Sequence, residues 1–160
     1  MDIPYSLRQA LENGTCVLFV GAGIGQYMLD ENGNPIPDGI GLAKKLAEKF
    51  NVPTSDGNYD LAKVSQYIEL KKGREELISF VKECLANAYP DDNLMWIPSI
   101  RWQAIFTTNY DNVIQRSYDQ YTGITRNYVT ISRATGFKDY TQELEIPIFH
   151  IHGALFDEKS

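Results

Sequence analysis

Three short clusters of this 160-residue chain bring together glycine, carboxamide, carboxylate and imidazole: residues 21–25 (GAGIG), 108–111 (TNYD) and 152–153 (HG). Glycines that follow a strand let backbone N–H groups approach a phosphate at a helix start, which holds an anion without a side-chain cation. Asn109 carries a carboxamide, too weak for a base but able to fix a water or a sugar hydroxyl by hydrogen bonding. At a strand's carboxyl end, His152 can titrate near neutrality and accept a proton. Each residue also has a plainer use. Gly21 and Gly23 suit a tight turn, Asn109 and Asp111 an Asx turn or helix N-cap, and His152 a hydrogen-bonded core position. His150 alternates with His152 and falls on the same side of a strand that spans both. Two histidines without Asp or Cys ligands at useful spacing make a poor metal site, and no metal is expected.

The glycine cluster is incomplete as a dinucleotide fingerprint. Gln26 stands where a third glycine is wanted, and the region about twenty residues on, where an acidic strand end is required, reads as helix around residues 44–50. No Gly-Lys-Ser/Thr follows either. A nicotinamide dehydrogenase and a P-loop enzyme are therefore both disfavoured.

Positioning these clusters requires strands that end at each of them. Residues 16–20 (CVLFV) form a continuous β-favouring run bounded by glycines, which suits a strand buried on both faces of a parallel sheet. A second strand is expected at 104–107 and the last clear one at 146–151, with Pro147 near its start, where a missing N–H is most tolerable. Residues 128–131 (YVTI) are a short β-like run of uncertain place. Ahead of the first strand lies a short helix with Ser6 as cap, Gln9 in capping-box position and Gly14 as its stop. Residues 30–41 (DENGNPIPDGIG) read as a loop. From Leu42 to about Tyr89 three helices follow, the second ending at Gly73 and the third bounded by Pro90; a fourth carries Val113, Ile114, Tyr118 and Tyr121 on one side. So long a helical stretch between strands exceeds a plain crossover, and a helical module inserted at about 42–100 is expected. The fold class is α/β with a parallel sheet. Ligands of such sheets bind in the crevice at the carboxyl ends of the strands. If the three strands are neighbours, the three clusters share one crevice.

Composition narrows the partners. Fifteen Lys and Arg against twenty-one Asp and Glu leave a net charge of −6, which disfavours binding to nucleic acid or an anionic membrane surface. No apolar run approaches the ~20 residues of a membrane helix. The opening residues (MDIP) lack a basic segment followed by an apolar one, so no secretory signal is read there. Cys16 and Cys84 lack CxxC spacing and read as small buried apolar residues of a reducing compartment. A cytoplasmic location is expected.

Taken in order, residues 21–24 (GAGI), 107–111 (TTNYD) and 152–153 (HG) resemble the sirtuin family, over about residues 12–156. Thr108 and Tyr110 make the resemblance closer to the divergent sirtuin-like domains of bacterial defence proteins than to protein deacylases. The resemblance implies a Rossmann-like sheet interrupted by a helical module, the whole chain being one NAD-binding domain. It implies NAD+ as substrate, with Gly21, Ala22, Gly23, Ile24 and Thr107 lining it and Asp111 shaping the nicotinamide pocket. Asn109 would hold a ribose hydroxyl or the attacking water, and His152 would be the base. Asp38, in a Pro-Ile-Pro-Asp run that matches part of the family's segment, would join the cofactor-binding residues. The implied activity is cleavage of the nicotinamide–ribose bond to nicotinamide and ADP-ribose, in antiviral defence by NAD depletion. The alternatives are NAD-dependent lysine deacylation and a non-catalytic module that binds NAD or ADP-ribose. A homo-oligomer or larger defence assembly is the expected setting. The family has further strands after its His-Gly, so residues 156–160 (FDEKS) lead to the expectation of an N-terminal portion of a larger protein, or of a form completed by another chain and inactive alone.

Overall fold

The computed structural model describes residues 3–53, 57, 59–85, 87–123, 126–136, 138–141 and 143–156. The first two residues of the MDIP start and the last four of the FDEKS tail lie outside the described residues. Along the chain the elements are α1 (Tyr5–Glu12), β1 (Val17–Val20), β2 (Met28–Leu29), α2 (Gly39–Phe50), α3 (Leu61–Lys72), α4 (Arg74–Leu85), β3 (Tyr89–Pro90), α5 (Trp96–Ser99), β4 (Ala104–Thr107), α6 (Val113–Gln120), β5 (Asn127–Ser132) and β6 (Glu145–His150). Contacts group them into two units, one of Met1–Met28 with Tyr89–Ser160, the other of Leu29–Ala88.

The first unit is built on a four-stranded, all-parallel sheet in the order β1-β4-β6-β5, so the mixed α/β class expected from the strand runs holds. Val20 pairs with Thr107, Thr107 with His150, and His150 with Ser132. Residues in register share a face. One face carries Leu18, Val20, Ile105, Thr107, Ile148 and His150, and α6 packs over it through Val113, Ile114, Gln115, Ser117 and Tyr118, all buried. The other face carries Phe19, Phe106 and Phe149, the last two stacked with ring centroids 4.6 Å apart.

Several expectations are corrected here. β1 is an edge strand rather than one covered on both faces: Val17 and Phe19 stand 52% and 64% exposed. Residues 128–131, of uncertain place by sequence, lie within β5, the opposite edge strand. Pro147 is in an inner strand, opposite Val129 of β5. α1 starts one residue before Ser6, because Pro4 presets its backbone and its carbonyl accepts the Arg8 N–H at 3.0 Å. Gln9 therefore donates to the Tyr5 hydroxyl instead of closing a capping box. Gly14 does end the helix region, with φ +66°.

The second unit is three helices around Leu42, Leu46, Ala47, Val64 and Ile68, with Phe50 and Phe80 edge to face at 5.8 Å. Asn51 ends α2 in the left-handed conformation and Gly73 (φ +99°) ends α3. α2 begins inside the stretch read as loop, at Gly39. Cys16 and Cys84 are free and half-buried rather than buried. Among the described residues no helix is long and apolar enough to cross a membrane.

Candidate functional site

Because β1, β4 and β6 are adjacent and parallel, the chain segments that follow Val20, Thr107 and His150 leave the same end of the sheet side by side. Backbone hydrogen bonds carry the adjacency past the strands. The Thr108 N–H donates to the Val20 carbonyl at 3.2 Å, the Ile151 N–H to Thr107 at 2.9 Å, and the Leu155 N–H to Tyr110 at 2.8 Å. The glycine, Asn-x-Asp and His-Gly clusters are thus brought together.

Residues after β1 form a 3-10 turn over Ala22–Tyr27, with the Ile24 N–H bonded to the Gly21 carbonyl. Gly21 is extended (φ −121°, ψ −173°), and none of Gly21, Gly23 and Gly25 has positive φ. A Cβ at Gly23 or Gly25 would meet nothing within 4 Å, and one at Gly21 only the Thr108 hydroxyl at 3.8 Å. Neither backbone conformation nor internal packing requires these glycines. Open space over a bare backbone is what a close-approaching ligand uses. Ala22 and Gly23 are exposed, while Ile24 is buried beneath them. Beside the turn lies a cleft of about 340 Å³ lined by Gly21, Gly23, Ile24, Tyr27, Trp96 and Ile97 among others. Asn109 and His152 are not among its walls.

The Asn109 segment is held by its neighbours. Thr107 is fully buried, and its hydroxyl accepts the Asn109 N–H at 3.0 Å, so its side chain positions the loop rather than facing solvent. Asp111 Oδ1 accepts the Val113 N–H at the start of α6, the Asx geometry that its place after a strand allowed. Burial pushes the Asp111 carboxyl above the ordinary carboxylate range, and the Val113 N–H and the Arg116 guanidinium pull it back only in part.

The two histidines part company. β6 ends at His150, and a turn closed by the Gly153 N–H on the His150 carbonyl (3.3 Å) follows, with Gly153 at φ +91°. Strand alternation therefore does not reach His152. That residue is exposed, its ring 6.4 Å from the Tyr110 ring, whereas His150 is 3% exposed. His150 Nδ1 lies 3.1 Å from the Asn109 carbonyl and Nε2 lies 2.8 Å from Gln115 Nε2. A carbonyl only accepts, so the proton sits on Nδ1 and Nε2 accepts from the Gln115 amide. Gln115 also donates to the Thr130 hydroxyl at 3.1 Å, and its Oε1 is buried with no partner among the described residues. Gln115 carries no motif in the sequence. Its one signal is a polar residue on the apolar face of α6, three residues before Tyr118.

Asp38 belongs to the other unit, where its carboxylate accepts the Gly41 N–H at 2.7 Å as the N-cap of α2. Among the described residues no group of three His, Cys, Asp or Glu side chains is arranged to hold a metal. Neither a scan against protein-family models nor a search of curated proteins finds a match for the chain.

Proposed function

We propose that the first unit is a sirtuin-like, Rossmann-like module that binds NAD+ and cleaves its nicotinamide–ribose bond. The observation that supports this most directly is the contiguous β1-β4-β6 order, which sets a glycine turn, a carboxamide and an imidazole at one end of a parallel sheet. The bare Cα positions of Gly23 and Gly25 suit the close approach of the pyrophosphate, and the adjoining cleft, walled by Tyr27, Trp96 and Ile97, suits a planar ring.

The chemistry asks little of the protein's acids. Nicotinamide leaves as a neutral ring from a pyridinium, so no proton donor is needed, and the sugar passes through an oxocarbenium-like state. Asn109 orients a ribose hydroxyl or the water through its carboxamide. As the C1′–N bond breaks, water oxygen bonds to C1′, and His152 takes the water proton and passes it to solvent. Asp111 and Thr107 keep the Asn109 loop in place. The same reading carries the cytoplasmic antiviral role by NAD depletion that the sirtuin resemblance implies.

Nicotinamide release from NAD+ by the full chain tests the reading. Release that is lost in Asn109→Ala and in His152→Ala is expected. Full activity in both variants, or tight NAD+ binding with no release, would overturn hydrolysis, and an O-acyl-ADP-ribose product with acylated peptide would replace it with deacylation.

A further inference from the structure

A second cleft, of about 310 Å³, opens at the opposite end of the same sheet. Its polar walls are Arg101, Arg126, Glu143, Ser99 and Tyr118. Arg101 precedes β4, Arg126 directly precedes β5 and Glu143 precedes β6, so three amino-terminal strand approaches converge there. The main chain holds the Arg126 guanidinium in place. Arg126 donates to the main-chain carbonyls of Trp102 and Glu145, which fix its plane. Arg101 lays its stem against Gly14, where a Cβ would come within 3.0 Å of Arg101 Cγ and Cδ. Among the described residues no carboxylate lies within 4 Å of Arg101.

Tyr118 supplies an independent observation. Tyr118 is only 7% exposed, yet it forms part of the cleft wall. Burial pushes its hydroxyl up to about 12, partly offset by Arg126, so it stays a donor at any physiological pH. Arg101 and Arg126 line one cleft together with the Glu143 carboxylate, so an anion entering it meets two guanidinium donors and a sugar hydroxyl meets an acceptor.

We propose that this cleft binds a small sugar phosphate: Arg101 and Arg126 grip the phosphate, the Tyr118 hydroxyl donates to one of its oxygens, and the Glu143 carboxylate accepts from a sugar hydroxyl. The volume is at the lower end of small-molecule sites and accommodates a single sugar ring with its phosphate rather than a dinucleotide. Tyr118 stands on α6 three residues after Gln115, which holds His150, so a ligand here touches the helix that supports the other end of the sheet.

Titration of the full chain with ribose 5-phosphate and with inorganic phosphate, followed by amide chemical shifts, tests the assignment. Saturable binding of ribose 5-phosphate with a Kd on the order of 1 mM or tighter is expected. Arg101→Ala and Tyr118→Phe, neither of which removes an anchoring contact to the main chain, should each weaken it severalfold to tenfold. Glu143→Gln should weaken ribose 5-phosphate and leave inorganic phosphate unchanged. Lys71→Ala, exposed in the other unit, should leave both unchanged. Absence of saturable binding, or binding indifferent to Arg101→Ala and Tyr118→Phe, would overturn the proposal whatever the outcome for NAD+.

Discussion

His150 and Asn109 are joined side chain to main chain: the buried imidazole donates from Nδ1 to the Asn109 carbonyl at 3.1 Å, while its Nε2 receives the Gln115 amide at 2.8 Å. The hydrogen-bonded core position, which the sequence offered to His152, thus falls to His150, while His152 is exposed. His150→Ala leaves a cavity and strips partners from Gln115 and the Asn109 carbonyl, and a loss of about 2–4 kcal/mol is expected in urea unfolding. His152→Ala, on an exposed turn, should change stability by less than about 0.5 kcal/mol while abolishing nicotinamide release. Equal stability losses in the two variants would contradict this division of labour.

On the proposed reading, Gly23 separates folding from ligand binding in the same way. A methyl group there meets nothing within 4 Å, and the backbone has no positive φ. Gly23→Ala should therefore leave stability unchanged or raise it by roughly 0.4–1 kcal/mol through the unfolded chain. Over the same bare backbone a phosphate loses its approach, and NAD+ affinity by calorimetry should fall tenfold or more. A variant that keeps its affinity would remove the glycine turn from the site.

How far the sequence disclosed this arrangement varies by element. The second strand, Ala104–Thr107, was legible to the residue because β-favouring apolar residues stop abruptly at polar ones. The helical stretch was equally plain from its period and from Gly73. Periodicity could not tell β1 from a central strand, since an apolar run reads alike whether its second face is covered or exposed, and Phe19 is exposed. The misplaced His152 has a similar cause. Alternation assumes that the strand continues, and only the Gly153 conformation reveals that it stops at His150. Gln115 was invisible because one amide on a helix has no spacing signature; its meaning arises from β5 and β6 lying opposite α6.

Asp111 predicts a pH dependence of definite sign. Burial, the largest influence, raises its carboxyl above the ordinary 3.8, against the opposing Val113 N–H and Arg116. A raised carboxyl favours folding when protonated: its contribution is full below 3.8 and is lost as pH rises through the folded-state value. Asp111→Asn keeps an oxygen for the Val113 N–H and never ionises. Relative to the parent, it should therefore gain stability between pH 3 and pH 7 in urea unfolding. A parent-to-variant difference that stays flat, or runs the other way, would show that the carboxylate is better solvated than its burial implies.

At alkaline pH Tyr118 and Tyr128 both contribute, each pushed up to about 12 chiefly by burial, with Asp119 adding to the effect at Tyr128 through its hydrogen bond and charge. Their phenols are neutral in the folded state where an unfolded tyrosine begins to ionise near 10. The stability they contribute is complete below that value and drains away as pH climbs from about 10 to about 12. Replacing both with phenylalanine removes the ionisation and keeps the edge-to-face ring pair, whose centroids are 6.0 Å apart. The double variant should therefore lose stability less steeply over that interval than the parent, as read from urea midpoints at successive pH values. It should also lack the late rise in phenolate absorbance. A parallel decline in both proteins would place the alkaline weakness elsewhere in the chain.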